Sequence, residues 1–402
     1  MKSFFAYRKF ADKKFFFRVQ KLGWRIVGFW PGSDVIHKYQ IVFAIFNCIQ
    51  ILIYGVFQIN YCIANRDKLV LLLDTMTPMF TQITTAMKIL FLIWKRKEVK
   101  MILDYLEKSF YRDHDEKLIK IHGKCARFSF LFALNLCIFA NATNLFFWTL
   151  PAVKDCYRLI MGMERHYELP FKAVFPFDIT MSPLFEFIFV ASMWSGYITA
   201  SGIFGGDGLF LGICSHLSGQ FDVIGSRIST LIEQEIAQHE SLERLTPKQN
   251  DHLYEKLKEI IVEHNLVIDL CGVMSKTFAP NVLIHFITSA LITCICCLMI
   301  MLAEGASKLI FVNYIIASTT QVYVYAIGGT MLEDASTKIA TKAYNFQWYK
   351  CNNRVQKQIL MLITRAQRKT AINVPFLEAT LETFGVVIRT AGSYITLLNT
   401  FL

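Results

Sequence analysis

The chain has 402 residues, of which 54% are apolar and 18% are charged, and its net charge is +11. Soluble domains contain roughly 45–50% apolar residues, even with glycine counted, and about 25% charged residues. A soluble protein of this size could not bury so much apolar surface. The composition therefore indicates an all-α membrane protein and excludes a disordered chain, a collagen and a small disulfide scaffold. We expect the basic residues to face anionic lipid and not nucleic acid.

Seven segments are apolar and long enough, at about 20 residues, to cross a membrane as helices. The predicted spans are 39–63, 69–94, 127–150, 183–203, 277–303, 309–331 and 376–402. The segment that precedes them, residues 1–38, is basic and aromatic, and we expect no cleavable signal in it. It is predicted to be an amphipathic intracellular segment that lies in the inner interface of the membrane.

The distribution of lysine and arginine sets the predicted orientation of the spans. Four segments on one side of the membrane hold 32 of these residues, and the segments on the other side hold 7. Cytoplasmic loops carry the excess of basic residues, so the N-terminus is predicted inside and the C-terminus outside. The four basic segments are 1–38, 95–126, 204–276 and 332–375.

Two of the intracellular segments carry apolar residues at helical spacing. Between 204 and 276, and again between 332 and 375, apolar residues recur every three or four positions, opposite polar faces. The pattern predicts helices that act as an intracellular anchor. Each stripe could pack on its own chain, or the helices could form a bundle that joins subunits. The predicted organisation places spans one to four in 39–203, spans five and six in 277–331, and span seven in 376–402.

No motif for catalysis, for a metal or for a cofactor is present in the sequence. The glycine-rich stretch GGDGLFLG, residues 205–212, follows a span and lacks the Gly-Lys-Ser/Thr of a phosphate loop. We predict a hinge there, at the inner face of the membrane. The nine histidines show no metal-ligand spacing, and His264 on an apolar stripe is predicted to be a packed histidine. The protein is therefore not predicted to be an enzyme, and no cofactor is expected.

A few polar residues in the predicted spans carry further expectations. Lys88 lies near one end of the second span, where a lysine can extend its charge to the interface. Arg389, near the middle of the seventh span, could pair with Glu382 one heptad earlier. Cys62 and Cys156 both lie in segments placed outside, and a disulfide between them is left open.

The outer halves of four spans are rich in aromatic residues, methionine and small polar residues. Such a lining is typical of a pocket for a small apolar ligand with a few hydrogen-bonding groups. The predicted ligand-binding residues are Met76, Met79, Phe80, Ile83, Asn144, Phe147, Trp148, Phe187, Ile188, Ser192, Phe311 and Tyr314. Met193 and Asn313 lie beside them in the same spans.

The last quarter of the chain resembles the insect odorant receptor family. The resemblance is carried by AIGGTMLEDASTKIATKAYNFQWY at 326–349 and by FGVVIRTAGSYITLLNTFL at 384–402. The terminal helix is similar to the gustatory-receptor pattern Thr-Tyr, five mostly apolar residues, Gln-Phe. Here Ser393 replaces the Thr and Thr400 replaces the Gln, which favours an odorant receptor.

The resemblance implies a subunit of a ligand-gated, nonselective cation channel that opens when a small volatile organic ligand binds. Such channels are tetramers with a pore lined by the seventh helix, and the matching positions are Leu397 for a hydrophobic gate and Thr400 for the polar ring beside it. It also implies a heterotetramer with an odorant co-receptor subunit, in the plasma membrane of a sensory neuron dendrite.

Three other classes of protein compete with this interpretation. A gustatory receptor channel of the same superfamily shares the layout of spans. A G-protein-coupled receptor has the opposite orientation, and its Asp-Arg-Tyr and NPxxY motifs are missing here. A transporter is expected to show internal repeats, and the sequence has no convincing one.

Overall fold

The computed structural model describes residues 10–112, 115–164, 167–236, 245–302, 307–345 and 347–401, and most of them are helical. In chain order the helices are α1 (Arg18–Val27), α2 (Lys38–Ala64), α3 (Leu69–Trp94), α4 (Arg96–Arg112), α5 (Glu116–Ile160), α6 (Leu184–Gly202), α7 (Gly208–Ile236), α8 (Pro247–Leu302), α9 (Ser307–Tyr344), α10 (Asn353–Ala366) and α11 (Leu381–Phe401). A π-helical turn, Ile203–Asp207, connects α6 to α7. Strands β1 (Asn373–Val374) and β2 (Leu377–Glu378) form an antiparallel hairpin.

Six helical stretches in the described part of the chain are long and apolar enough to cross a membrane. They are Lys38–Ala64, Leu69–Trp94, Glu116–Ile160, Leu184–Leu231, Pro247–Leu302 and Lys308–Tyr344. Each of these stretches overlaps one of the first six predicted spans, so the chain is a polytopic helical membrane protein. The seventh crossing stays a prediction.

The predicted seventh span begins too early. Phe376 lies in the turn of the β1–β2 hairpin with a φ of 72°, and α11 starts at Leu381. Arg389 and Glu382 are both exposed on α11, and no ion pair joins these two described residues. The side chains of Leu397 and Thr400 lie outside the described residues.

Helix α8 is far longer than a membrane is thick. Its 56 residues span about 84 Å, whereas the hydrocarbon core of a bilayer is about 30 Å thick. The part before the predicted span packs against α4, α7 and α10. Its stripe residues Leu253, Leu257 and Ile260 are buried, as are Val355 and Ile359 on α10. The apolar stripes therefore pack on their own chain, which was one of the two predicted alternatives.

The described part of the N-terminal segment around α1 packs inside the protein, which differs from the predicted position in a membrane interface. Phe17 and Trp24 are each 1% exposed. The side chain of Gln20 donates hydrogen bonds to Ser129 Oγ at 3.0 Å and to the carbonyl of Gly208 at 3.3 Å. The aromatic residues are buried because α1 inserts between the predicted spans and the helical extensions.

The glycine-rich stretch lies in packed helical structure, at the end of the π-helical turn and the start of α7, and its role as a hinge stays a prediction. The π-helical turn continues α6 directly into α7, and Phe204, Gly205 and Asp207 within it are buried. A Cβ atom added at Gly23 of α1 would lie 2.9 Å from Gly205 Cα, so the two backbones touch. Glycine permits this contact because it has no side chain. π-Helical turns often mark functional sites in helices.

Candidate ligand cavity

One cavity lies among five of the long helices, and we call it the main cavity. It encloses about 850 Å³ of space free of protein atoms, including its open mouth. Helices α3, α5, α6, α8 and α9 form its wall, and Phe171 from the segment between α5 and α6 completes it. The wall residues include Pro78, Thr81, Gln82, Leu136, Phe139, Ala140, Thr143, Asn144, Phe147, Gly196, Thr199, Ala200, Ile203, Ile292, Asn313, Tyr314, Ala317, Ser318, Thr320 and Gln321.

Aromatic rings form one side of the main cavity. The ring centroid of Phe147 lies 5.6 Å from that of Phe171 and 5.8 Å from that of Tyr314. The Tyr54 hydroxyl holds the backbone of Phe171 in place, since it donates to the Phe171 carbonyl oxygen at 2.6 Å. These contacts give a preformed apolar wall against which a flat or branched hydrocarbon group can pack.

An ion pair fixes the segment that carries Phe171. Lys172 Nζ lies 2.6 Å from Asp74 Oδ2 at the start of α3. Burial lowers the pKa of Lys172, but the nearby Asp74 carboxylate outweighs it and the pKa is raised. Lys172 is therefore charged at neutral pH, and the pair joins this segment to the helix that contributes Gln82.

Most polar groups of the wall already have hydrogen-bond partners within the protein. The Asn144 side-chain amide donates to the Gly196 carbonyl at 2.8 Å, and that of Asn313 donates to Thr143 Oγ1 at 3.3 Å. Gln82 differs, because it is 2% exposed and neither its Nε2 nor its Oε1 has a partner in the described structure.

The structure places the predicted binding residues in three environments. Asn144, Phe147 and Tyr314, with the neighbouring Asn313, line the main cavity. Met76, Phe80 and Phe311 lie in an adjoining apolar cluster that also contains Ile292 and Tyr314.

The remaining predicted residues are not part of the wall of the main cavity. Phe187 is 71% exposed on α6, whereas Ser192 and Met79 are buried. Ile188 lines a smaller separate pocket with Tyr54. Ile83 and Trp148 are half-buried.

Several wall residues were not predicted from the sequence. Thr81 and Gln82 belong to a run of threonines and one glutamine inside an otherwise apolar span, and this unusual polarity was the signal that could have indicated them. Thr199 and Ser318 resemble the many small polar residues that pack between membrane helices. Phe171 gave no signal, because it lies outside the predicted spans.

A buried polar cluster lies next to the main cavity along the same helices. Lys88 Nζ on α3 is 2.5 Å from Asp207 Oδ1 at the end of the π-helical turn, and the Tyr325 hydroxyl of α9 donates to the same oxygen at 2.6 Å. His285 Nε2 of α8 is 3.9 Å away. Lys88 is 4% exposed, so it does not extend to the membrane interface as predicted. Pairing with a buried carboxylate replaces solvation by water.

All eleven cysteines are free thiols. Cys62 is half-buried and Cys156 is exposed, and the disulfide left open between them is not formed. No group of three or more metal-ligating side chains occurs among the residues that the structure describes.

Membrane-length helices around an apolar cavity with a few hydrogen-bonding groups define a class of protein. This is a polytopic helical membrane protein with a mostly apolar cavity among its helices, the kind of cavity in which small apolar molecules bind.

Comparison with known proteins identifies the family within that class. A family model described as 7tm odorant receptor matches residues 68–392, so the chain belongs to the odorant receptor family. Odorant receptor 22c of Drosophila melanogaster is 28% identical over 96% of this chain and 97% of its own length. Odorant receptor 24a of the same fly is 26% identical over 98% of this chain and 98% of its own length. The family match favours an odorant receptor over the gustatory and G-protein-coupled alternatives.

A solved structure has the same fold. The olfactory receptor OR5 from Machilis hrabei, in a complex with eugenol, superposes with a TM-score of 0.76 over 97% of this chain and 98% of its own. The two sequences are 14% identical. The helical architecture is thus retained where little sequence is shared.

Proposed function

We propose that this chain is the odorant-binding subunit of a ligand-gated, nonselective cation channel. The observation that carries the proposal is the main cavity, which five helices enclose with a largely apolar wall. A small volatile ligand binds there and favours the opening of a hydrophobic gate on α11. Leu397 is the proposed gate, with Thr400 as the polar ring beside it. Apolar side chains at a constriction block ions because water leaves the constriction.

The chemistry of the cavity supports an odorant as the ligand. Its aromatic and aliphatic wall suits a hydrocarbon skeleton, and its amides and hydroxyls suit one or two oxygen atoms. Eugenol, which is bound to the Machilis hrabei receptor of the same fold, is a molecule of this kind.

Contacts of α11 supply a route from the cavity to the proposed gate. The Leu381 backbone amide at the start of α11 donates to Thr330 Oγ1 of α9 at 3.0 Å. The rings of Tyr323 on α9 and Phe384 on α11 lie 5.7 Å apart. Helix α9 also lines the cavity, so a ligand that moves α9 also moves α11. The ligand can shift this equilibrium only if it binds the open state more tightly.

The intracellular extensions support assembly into a tetramer. Leu360 and Met361 on α10 are 63% and 70% exposed, and Val262 on α8 is 63% exposed. Apolar side chains in an otherwise polar region are typical of a surface that another subunit covers. We propose a heterotetramer with an odorant co-receptor, located in the plasma membrane of a sensory dendrite.

The test is the ligand-evoked current in cells that express this chain alone or together with an odorant co-receptor, with G-protein signalling blocked. A cation current that appears with both chains supports the proposal. Phe147→Ala is expected to raise the half-maximal ligand concentration on the order of tenfold or more, because it removes an aromatic wall. Phe187→Ala, at an exposed position away from the wall, is the control. A current that is lost whenever G proteins are blocked would refute the channel.

A further inference from the structure

Gln82 has an unsatisfied amide at the wall of the main cavity. The residue lines the cavity beside Thr81 and Pro78 on α3. It is 2% exposed, and neither Nε2 nor Oε1 has a hydrogen-bond partner in the described structure. A buried amide without partners is unfavourable, since it has lost its hydrogen bonds to water. Such a group in a native protein calls for an explanation.

The hydroxyl groups of three wall threonines cannot take the place of Gln82 as donors. The hydroxyl hydrogens of Thr81, Thr199 and Thr320 bond to backbone carbonyls one turn earlier, at 3.2, 2.8 and 2.7 Å. A hydroxyl has a single hydrogen, so these groups present only lone pairs to a ligand. The Gln82 amide, in contrast, has two hydrogens and an oxygen that are uncommitted in the described structure.

Gln58 is a second buried glutamine without hydrogen-bond partners in the described structure, and it serves as a comparison for Gln82. It lies on α2, is fully buried, and also has both amide atoms without a partner in the described structure. Gln58 is not among the residues that line the main cavity, whereas Gln82 is. The two residues therefore share type and burial and differ in whether they line the main cavity.

We propose that Gln82 selects oxygen-bearing ligands, because its Nε2 donates a hydrogen bond to a carbonyl or hydroxyl oxygen of the bound molecule. A hydroxyl ligand also donates to Gln82 Oε1. A hydrocarbon of the same shape fills the apolar wall but leaves the amide unpaired. The inference rests on the proposed function in one respect, which is that the main cavity is the ligand site.

The expected selectivity follows from the value of a buried hydrogen bond. The net contribution of such a bond corresponds to a factor of up to roughly ten in affinity. Removing the amide is therefore expected to remove a preference for oxygenated ligands on the order of tenfold.

The test compares three molecules with one carbon skeleton: acetophenone, 1-phenylethanol and ethylbenzene. Each is titrated into purified receptor, and binding is followed by the rise in melting temperature, which does not require channel opening. The measured quantity is the half-saturating concentration of ethylbenzene divided by that of each oxygenated ligand. The proteins are the wild type, Gln82→Met and Gln58→Met. Methionine retains the length of glutamine without its polar atoms.

In the wild type, the ratio is expected to be larger than in Gln82→Met by a factor on the order of ten. The solubility of each ligand affects the wild type and the variant equally. Dividing the wild-type ratio by the ratio of the variant therefore removes the effect of solubility. Gln58→Met is expected to keep the ratio of the wild type. The inference is overturned if Gln82→Met keeps that ratio within twofold, if Gln58→Met abolishes it equally, or if no oxygenated ligand raises the wild-type melting temperature.

The proposed function fails separately from this inference. If the oxygen preference is found by melting temperature but no ligand evokes a current with the co-receptor, the channel proposal is wrong and the role of Gln82 stands. If currents are evoked and Phe147→Ala weakens them, while Gln82→Met leaves the ratio unchanged, the inference alone is wrong.

Discussion

Lys88 and Asp207 form a charged pair deep inside the helical bundle, next to the main cavity. Both are buried, and the Tyr325 hydroxyl supplies a second hydrogen bond to the carboxylate. Each charge is tolerated there because the other charge and the hydroxyl replace its water shell. The ion pair joins α3 to the π-helical turn, and the Tyr325 hydroxyl joins both to α9. The cluster therefore holds together helices that line the main cavity.

Removing one partner is expected to be costly. Lys88→Met leaves the Asp207 carboxylate buried and unpaired, so the free energy of unfolding is expected to fall by about 3–5 kcal/mol. The double variant Lys88→Met, Asp207→Asn is expected to recover most of this loss, because no lone charge is left. Melting temperature in detergent is the measurement. Lys256→Met, which breaks an exposed pair with Glu259, is the control and is expected to change stability by less than about 1 kcal/mol. Equal losses in the single and double variants would contradict the pairing.

The segment that leads into α11 packs on α9 through a contact between backbones. At Gly329 of α9, an added Cβ atom would lie 1.8 Å from the Ala379 carbonyl oxygen. The same helix contacts α11 through Thr330, one residue later. The absence of a side chain at Gly329 therefore determines how closely the start of α11 approaches the bundle.

Gly329→Ala is expected to push the 379–381 segment off α9. Because the contact is to backbone, the clash cannot be relieved by a side-chain rotation, and a loss of about 1–3 kcal/mol is expected. The readouts are melting temperature and the half-maximal ligand concentration for current. Gly272→Ala on α8, where a Cβ meets nothing within 4 Å, is the matched control. It is expected to be neutral or stabilising, by up to about 1 kcal/mol, since alanine favours a helix. If both variants behave alike, close approach is not the reason for Gly329.

The helical extension of α8 contains a histidine that burial keeps neutral. His264 is 1% exposed, and its ring lies 5.9 Å from that of Phe221. Burial, together with the positive charge of Arg365, lowers its pKa from 6.5 to about 4. This agrees with the prediction of a packed histidine.

Acid is therefore expected to weaken the extension. As pH falls from 6.5 towards 4, the unfolded chain binds a proton at His264 that the folded chain does not bind. The contribution of His264 to stability is complete above pH 6.5 and is lost across that interval, by at most about 1.4 kcal/mol per pH unit. His264→Gln is expected to show a shallower fall in melting temperature between pH 7 and 4.5. His252→Gln on the same helix is the comparison. Parallel curves for the wild type and His264→Gln would disprove the assignment.

At the scale of the whole molecule, the long helices connect the part that contains the main cavity to the helical extensions that carry exposed apolar residues. The main cavity lies among the predicted spans, whereas exposed apolar residues such as Leu360 and Met361 lie on α10, outside them. Helices α8 and α9 run through both parts, so the two parts are mechanically connected.

Charges on the exposed face of α10 are expected to block assembly without unfolding the subunit. Leu360→Lys with Met361→Lys places two charges on side chains that contact little of their own chain. We expect a loss of co-purification with the co-receptor and a melting temperature of the monomer within a few degrees of the wild type. Asn353→Lys, at the start of the same helix, adds charge at a polar position and serves as the control. Retained assembly in the double variant would place the subunit interface elsewhere.

The first six spans and the helical character of the basic segments between spans could be predicted because each depends on one stretch of sequence. Residues 69–94 were predicted as a span, and α3 is Leu69–Trp94. The site was predicted less completely. Asn144, Phe147 and Tyr314, which line the main cavity, were among the predicted binding residues, whereas Gln82 and Phe171, which also line it, were not. That these residues bind a ligand stays a prediction. The face that a helix turns towards a cavity depends on its neighbours, and one sequence does not contain that information.

The sequence by itself determined that this is a polytopic helical membrane protein, since transfer of about 20 apolar residues into lipid is favourable for each span separately. It also determined the apolar stripes of the extensions. The tertiary structure decided where the N-terminal aromatic residues lie and which polar groups are paired. Lys88 and Asp207 are 119 positions apart, and Gln82 lacks a partner because no neighbouring helix supplies one in the described structure. Hydrogen bonds form between groups that are close in space, and only the packing of distant segments establishes that proximity.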